Sequence, residues 1–219
     1  APSCMLIKNI IWDWNGTIVD DAWVFVEVMN TTLKKNGLPE TSLSHYRKNF
    51  CFPIQDYWKC LGFSFTKESF NQLNDDFIKE YQKKMFLPSI HKGLRSFFLN
   101  LQNNNFSQFI LSASENSLLQ RSVNYYEITS FFQGVYGVDN VNALGKEFLG
   151  REVCLKHSLV PKQTLLIGDS EYDALVADSL GCPVLLVSHG HINHNRLVQT
   201  GKTVVSSIKE VGDYLGVNQ

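Results

Sequence analysis

The fold is decided near the start of the chain, where residues 6–17 read LIKNIIWDWNGT. An apolar, isoleucine-rich run ends in Asp13, and the Asn15-Gly16 pair that follows favours a tight turn. This pattern predicts a buried first β-strand that ends in a carboxylate. Open α/β sheets bind their ligands at the carboxyl ends of their strands, although Asp13 could equally be a local cap of the turn.

Similar apolar runs, bounded by turn residues, recur at residues 108–112, 134–138, 164–168 and 183–187, with a shorter candidate at 203–205. Helical patterns lie between the later runs, at residues 115–126, 146–158 and 172–180. Alternating strands and helices are typical of a parallel sheet. The sequence therefore predicts an α/β fold with a doubly wound, Rossmann-like core.

Residues 20–90 contain helical patterns and no run that reads as a strand of a central sheet. One helix is expected to begin at a cap on Asp20 or Asp21 and to continue through Lys35. A later helix places apolar side chains three and four residues apart, at Phe70, Leu73, Phe77 and Tyr81. We therefore predict a helical cap domain at residues 19–88, inserted after the first strand into a core formed by residues 1–18 and 89–219.

Composition limits the class of protein. The 219 residues include 20 basic and 21 acidic side chains, and 44% of the residues are hydrophobic, which is typical of a globular domain. The near-neutral charge argues against a general nucleic-acid binder. No apolar run approaches the roughly 20 residues that span a bilayer, and residues 1–14 do not resemble a signal peptide. Five scattered cysteines indicate free thiols, so a cytoplasmic protein is expected.

Two further positions suit a phosphorylated ligand. Ser112 follows a predicted strand and precedes a helix, whose free N–H groups favour a phosphate oxygen. Lys146 begins another predicted helix, where it could neutralise a phosphoryl group. Taken singly, Ser112 could be an ordinary helix cap and Lys146 a solvated lysine.

A pair of carboxylates follows the predicted strand at residues 164–168. Asp169 comes directly after that strand, and Asp173 lies four residues further on. Clustered carboxylates favour Mg²⁺, a hard ion that takes oxygen ligands. The alternative is that Asp169 only caps a helix and Asp173 is exposed.

Taken together, the order Asp-x-Asn-Gly-Thr, Ser112, Lys146 and Gly-Asp-x-x-x-Asp resembles the haloacid dehalogenase-like superfamily across essentially the whole chain. The chain is most similar to phosphoglycolate phosphatase-like members that carry a helical cap. The resemblance implies a Mg²⁺-dependent phosphatase acting on a small phosphorylated metabolite, with no nucleic-acid or membrane partner. It leaves the physiological substrate and the oligomeric state open.

The resemblance also implies roles for individual residues. Asp13 would be the nucleophile that forms an aspartyl-phosphate. The carboxylates of Asp13 and Asp169 and the backbone carbonyl of Asn15 would hold Mg²⁺. Asp173 would support either that site or the lysine. Oxygen atoms of the phosphoryl group would be bound by Ser112, the Ala113 amide and Lys146.

Asn15 departs from the pattern, because phosphatases of this superfamily usually carry a second aspartate there as the general acid and base. An amide cannot exchange protons in this way near pH 7. A natural variant acting on substrates with good leaving groups is favoured over a slow or degenerate phosphatase and over an engineered mutant. A catalytically weak protein that binds a phosphorylated ligand stays open as the alternative function. A phosphomutase or a dehalogenase fits these residues less well.

The remaining histidine, aromatic and basic residues of note lie outside the predicted site, and most of them are interpreted as structural. His189, His191 and His194 could bind a transition metal, but a polar loop near the rim of the site is preferred. Four aromatic residues of the helical region are interpreted as packing residues: Trp23, Phe52, Trp58 and Phe63. His45, Arg47 and Lys48 are candidates for substrate selection by position alone.

Overall fold

The computed structural model describes residues 6–139 and 145–217, and in them six parallel strands form one sheet. The strands are β1 (Asn9–Trp12), β2 (Ser107–Glu115), β3 (Gly134–Val138), β4 (Thr164–Gly168), β5 (Val184–Val187) and β6 (Thr203–Val205). Their spatial order is β3-β2-β1-β4-β5-β6, so the sheet is wound outward in both directions from β1. The predicted doubly wound α/β fold is confirmed, and its switch point lies between β1 and β4.

Ten α-helices accompany this sheet in the described chain. They are α1 (Ala22–Lys35), α2 (Leu43–Asn49), α3 (Ile54–Cys60), α4 (Lys67–Lys84), α5 (Leu94–Asn103), α6 (Asn116–Tyr125), α7 (Lys146–Lys156), α8 (Glu171–Leu180), α9 (His194–Val198) and α10 (Ile208–Leu215). Helices α1–α4 all lie between β1 and α5, and we call them the helical insert.

The two ends of the helical insert are held together by backbone hydrogen bonds. The Asp20 amide donates to the Ser89 carbonyl and the His91 amide donates to the Ile18 carbonyl, each at 2.9 Å. The chain therefore enters and leaves the insert side by side, directly after the loop that follows β1.

Apolar side chains cover both faces of the sheet. On one face, the Trp12 ring packs edge-on against Phe98 of α5, with centroids 5.4 Å apart. On the other face, the cluster that includes Ile11 and Val176 continues into the helical insert, where Trp58 is fully buried. Each such side chain stabilises the fold by about 1.5–3 kcal/mol relative to exposure. This packing fixes the strand ends that carry the polar residues.

Element boundaries differ from the sequence expectation at β1 and β2. β1 begins at Asn9 rather than at residue 6, and Leu6 is exposed. β2 does not end at Ser112, because a shift of register lets the strand continue beside β3 until Glu115 pairs with Val138. The Glu115 carboxylate then accepts the amide protons of the first turn of α6 and caps that helix.

Within the described ranges, no helix combines the length and the apolar character needed to cross a membrane. Cys51, Cys60, Cys154 and Cys182 are free thiols, as expected, and Cys4 lies outside the described residues.

Candidate active site

The predicted site residues meet at the carboxyl edge of the sheet. Asp13 follows β1 and Asp169 follows β4, so the two carboxylates flank the switch point of the sheet. Ser112 lies in β2, and Lys146 is the first residue of α7. The structure thus brings together residues that are up to 160 positions apart in the sequence.

Lys146 joins two of the carboxylates. Its ammonium donates a 2.8 Å hydrogen bond to Oδ1 of Asp13 and another 2.8 Å bond to Oδ1 of Asp173. Burial alone would lower the pKa of Lys146, but the two neighbouring carboxylates raise it above its ordinary value. Lys146 therefore remains charged, and the interpretation of it as a solvated lysine is wrong.

Asp13 is held in its ionised form. Burial acts to raise the pKa of this carboxyl, but the Lys146 ammonium and hydrogen bonds from its neighbours outweigh burial and lower the pKa. The Thr17 hydroxyl donates to the second oxygen, Oδ2, at 3.1 Å. An ionised carboxylate fixed at both oxygens is a pre-oriented nucleophile or metal ligand.

Asp169 has no cation of its own among the described residues. The amide of His191 donates to its Oδ2 at 2.8 Å. Burial, followed by the charges of Asp13 and Asp173, raises the pKa of Asp169 well above its ordinary value. Asp169 also explains the glycine of the Asn-Gly pair, because a Cβ on Gly16 would lie 2.2 Å from Oδ2 of Asp169.

Asp173 is fixed by the turn that precedes α8. Its Oδ2 accepts the backbone amides of Asp169 and Ser170, each at 3.1 Å, and the Ser170 hydroxyl at 2.9 Å. Ser170 rather than Asp169 is the N-cap of α8. Asp173 is buried rather than exposed, so its Oδ1 is presented to Lys146 in one orientation.

The three aspartates form a site that a divalent cation would fit. Asp13, Asp169 and Asp173 each offer an oxygen, and these oxygens lie within 4.8 Å of one another. Among the described residues, Lys146 is the only lysine or arginine paired with them, so three buried carboxyl groups share one cation. Buried carboxylate oxygens with unbalanced charge suit a hard ion such as Mg²⁺.

Ser112 and its neighbours form the opposite side of the site. Ser112 is buried, and its Oγ accepts the amide of Ser114 at 3.0 Å, which orients the hydroxyl. Ser112, Ala113, Lys146 and Asp13 all line one cavity of about 220 Å³. Ser112 does not cap α6, so the interpretation of this residue as an ordinary helix cap is wrong.

Both the nitrogen and the oxygen of the Asn15 side-chain amide make hydrogen bonds. Its amide nitrogen donates to Oδ2 of Asp21 at 2.7 Å and to the Tyr81 hydroxyl at 3.3 Å. Its amide oxygen accepts the Ser114 hydroxyl at 2.8 Å. Asn15 therefore links the loop after β1 to β2 and to α4 of the insert, which gives the amide a clear structural role.

Next to Asn15, three buried side chains are joined by hydrogen bonds: Asp21, His191 and Tyr46. The sequence analysis did not predict this network. Asp21 is 1% exposed and stands at the N-cap position of α1, as predicted, but its carboxylate makes no capping hydrogen bond to the helix. Its Oδ1 accepts the Gly16 amide at 2.9 Å and Nε2 of His191 at 2.7 Å. Nδ1 of His191 then meets the Tyr46 hydroxyl at 2.6 Å.

Aromatic residues of the insert form much of the cavity wall. Phe25, Phe50 and Phe52 line it, together with Tyr172 at the start of α8. Phe52 is 52% exposed and its ring lies 5.8 Å from that of Tyr172, so the interpretation of Phe52 as a packing residue holds for its ring contacts but not for burial in the core. The same interpretation is correct for Trp58, which is fully buried, whereas Trp23 is 40% exposed.

The three histidines of residues 189–194 do not converge on a metal within the described chain. His189 stacks on His91 with centroids 3.6 Å apart, and its Nε2 lies 3.0 Å from the Thr17 carbonyl. His191 lines the cavity, so the loop reaches the rim of the site as predicted, and His194 is exposed at the start of α9.

The basic candidates for substrate selection lie elsewhere in the described structure. Nε of Arg47 donates to the Gly190 carbonyl at 2.8 Å, and Nδ1 of His45 lies 3.1 Å from the Tyr57 hydroxyl. Neither residue lines the cavity, and nor does Lys48.

A parallel sheet with carboxylates at its switch point and a helical insert after β1 places this chain in the class of doubly wound α/β proteins. The chain belongs to the haloacid dehalogenase-like hydrolases, whose family model matches residues 10–187. The resemblance read from the sequence is therefore confirmed. A search of curated proteins finds no match to this chain.

Solved structures share the fold at low identity. A haloacid dehalogenase-like family hydrolase from Streptococcus pneumoniae is 21% identical, with a TM-score of 0.78 over 95% of this chain and 98% of its own. A predicted phosphatase from Clostridium acetobutylicum is 19% identical, with a TM-score of 0.81 over 96% of this chain and 98% of its own. A predicted phosphoglycolate phosphatase from Haemophilus somnus is 19% identical, with a TM-score of 0.77 over 97% of this chain and all of its own. These matches show the common fold.

Proposed function

We propose that the chain is a Mg²⁺-dependent phosphatase that hydrolyses a small phosphorylated metabolite through an aspartyl-phosphate on Asp13. One observation carries the proposal. The ionised carboxylate of Asp13, the ammonium of Lys146 and the hydroxyl of Ser112 line the same small cavity. A nucleophile, a fixed cation and an oriented hydroxyl are what phosphoryl transfer requires.

In the first step, a carboxylate oxygen of Asp13 attacks phosphorus, a new O–P bond forms, and the ester bond to the leaving alcohol breaks. Lys146, Ser112 and the Ala113 amide hold the phosphoryl oxygens as charge redistributes on them. The alkoxide or phenoxide takes its proton from water, because the Asn15 amide is too weak an acid to release one. In the second step, water attacks the phosphoryl group, releasing phosphate and restoring the Asp13 carboxylate.

The residues that would hold Mg²⁺ are Asp13 and Asp169 through their carboxylates and Asn15 through its backbone carbonyl. Asp173 supports the site by fixing Lys146. The bound cation supplies positive charge that offsets repulsion between the carboxylates and an anionic substrate.

Residues 19–88 act, in this proposal, as a cap over the core formed by residues 1–18 and 89–219. Two facts support the division. The ends of the insert are paired at Asp20 and Ser89, and Phe25 and Phe50 of the insert reach the cavity wall.

Asn15 keeps a second function open, namely a protein that binds a phosphorylated ligand and turns it over poorly. Three hydrogen bonds fix its side chain, which would suit a stable binding site as well as a catalytic one. The size of the phosphate burst separates the two functions. An enzyme releases phosphate repeatedly, whereas a binder or trap releases at most one equivalent.

The test is phosphate release from p-nitrophenyl phosphate with Mg²⁺, for the unchanged chain, Asp13→Ala and the control Asp213→Ala, whose side chain is exposed on α10. Steady release is expected for the unchanged chain and the control, together with its loss in Asp13→Ala and on chelation of Mg²⁺. Equal release by Asp13→Ala, or none by the unchanged chain, would overturn the proposal.

A further inference from the structure

We infer that the substrate of this cavity is a phosphomonoester whose leaving alcohol is uncharged and carries an aromatic ring. The inference rests on the proposed phosphatase function and adds the substrate class. It is drawn from the aromatic residues that line the cavity, from the distribution of basic residues and from the chemistry of Asn15.

The first observation is an aromatic wall with an exposed member. Phe50 is almost buried and its ring lies 5.4 Å from that of Phe52, which in turn lies 5.8 Å from Tyr172. These ring contacts join the insert to Tyr172 of α8. Phe52 nevertheless leaves half of its surface in solvent. An aromatic ring in the substrate would cover this surface and stack in the tilted or edge-on geometry that aromatic pairs prefer.

The second observation is that, in the described chain, the cavity has no lysine or arginine available for a second anion. Every lysine and arginine of the chain falls within the described ranges, and Lys146 is the only one of them that lines the cavity. Lys146 is already bonded to Asp13 and Asp173. A substrate with a carboxylate or a second phosphate beside its ester would place that charge against aromatic rings without a counter-ion, which is costly.

Size and leaving-group chemistry agree with this assignment. A volume of about 220 Å³ is smaller than a cavity for a drug-sized ligand, so it suits a phosphoryl group and one ring rather than a nucleotide. The Asn15 amide cannot lend a proton to the departing oxygen. A phenol, with a pKa of about 10, leaves as an anion more readily than an alkyl alcohol.

The first experiment compares alkyl phosphates, so that ring recognition is separated from leaving-group ability. Benzyl phosphate, ethyl phosphate and phosphoglycolate all release a primary alkyl oxygen, but only the first carries a ring and only the last carries a carboxylate. We expect kcat/KM for benzyl phosphate to exceed the other two by about tenfold or more, a difference of about 1.4 kcal/mol. An equal or higher kcat/KM for phosphoglycolate or ethyl phosphate would overturn the inference and leave the phosphatase proposal intact.

The second experiment measures binding without turnover. Calorimetric titration with benzylphosphonate is expected to give a lower Kd than titration with phosphonoacetate. If no phosphomonoester is hydrolysed and benzylphosphonate still binds more tightly, the proposed catalysis fails while the ligand class stands. If phosphonoacetate binds as tightly or more tightly, the ligand class fails.

Phe52→Ala tests the aromatic wall itself. The variant should raise KM for benzyl phosphate by about 3- to 10-fold, the scale of one aromatic pair, and should raise KM for ethyl phosphate, which has no ring, by less. Tyr214→Ala, which removes a half-exposed ring from α10, is the matched control and should change neither KM. A benzyl phosphate KM in Phe52→Ala equal to that of the control would overturn the role assigned to the wall.

Discussion

The two sides of the cavity are stabilised by different interactions. The core side carries Asp13, Asp169, Asp173 and Lys146, which are buried and fixed by hydrogen bonds from strand ends and helix starts. The insert side is mainly aromatic, and its rings are held by packing, with Phe52 partly in solvent. In the proposed function, the charged and rigid core side would carry out the reaction and the apolar insert side would select the substrate.

This difference has an energetic origin. Charged groups can be buried only if they are paired and hydrogen-bonded, so the core side admits few changes. Aromatic packing depends mainly on volume and shape, so the insert side can vary without leaving a buried charge unpaired. Changes on the core side should alter kcat by orders of magnitude, whereas changes on the insert side should alter KM modestly.

The largest effect is expected from Lys146→Met, which removes the cation shared by Asp13 and Asp173. Loss of a group that stabilises transition-state charge costs about 10²–10³-fold in kcat, and here the nucleophile also loses its partner, so we expect a fall of about 10³-fold or more. Lys162→Met, at an exposed lysine, is the control. Steady-state phosphate release measures both, and a fall below tenfold in Lys146→Met would contradict the division between the two sides.

Asn15→Asp should have the next largest effect. The introduced carboxylate would lie against Asp21, which Asn15 contacts at 2.7 Å, and two carboxylates in contact share a proton. That proton would serve as a general acid, so turnover of ethyl phosphate should rise by about 10- to 100-fold, and that of p-nitrophenyl phosphate much less. Equal changes for both substrates would show that protonation of the leaving group does not limit the rate.

The same variant should lose stability above neutral pH, where both carboxylates ionise. The double variant Asn15→Asp/Asp21→Asn exchanges the two groups and should recover the loss measured by urea unfolding. A double variant no more stable than Asn15→Asp would show that Asp21 is not the source of the repulsion.

His189 stacks on His91, next to the point where the chain leaves the helical insert. We expect this histidine to make the free energy of unfolding depend on pH. Burial, with a contribution from neighbouring His91, lowers the pKa of His189 to about 4, whereas an unfolded histidine titrates near 6.5. Between these values the unfolded chain binds a proton that the folded chain does not, so stability falls as the pH drops from about 6.5 to about 4. His189→Gln should remove on the order of 1–2 kcal/mol of this dependence, as measured by urea unfolding at pH 7 and pH 5. An unchanged pH dependence in the variant would contradict the lowered pKa.

The smallest effect is expected from Tyr46→Phe, which deletes the hydroxyl that meets Nδ1 of His191. The loss of one buried hydrogen bond should lower the free energy of unfolding by about 0.5–1.5 kcal/mol. Tyr125→Phe, at a half-exposed ring, is the control. Identical urea midpoints for the two variants would mean that the hydrogen bond contributes nothing to stability.

Much of the core side could be predicted from the sequence, because its residues follow directly on apolar strands. Asp13 and Asp169 end such runs, and parallel strands place their carboxyl ends at one edge. The position of Lys146 at the start of a helix could also be predicted from the sequence. The contact between Lys146 and Asp173 was offered only as one of two possibilities, because it joins two helices that no local pattern relates.

The buried network of Asp21, His191 and Tyr46 next to Asn15 could not be predicted from the sequence. Asp21 and His191 are 170 residues apart, and each had an adequate local explanation, as a helix cap and as part of a polar loop. The exposure of Phe52 was missed for a related reason, since an aromatic residue in a helical region is usually core. Long-range tertiary contacts decided all three positions.

The central claim is that Asp13 carries the phosphoryl group during turnover. Rapid quenching of one turnover of p-nitrophenyl phosphate in acid, followed by peptide mass spectrometry, tests it most directly. We expect a transient phosphoryl adduct on Asp13 that forms with nitrophenol release and decays with phosphate release. Phosphate released at the same rate with Asp13 unmodified throughout, or with the adduct on another residue, would contradict the account.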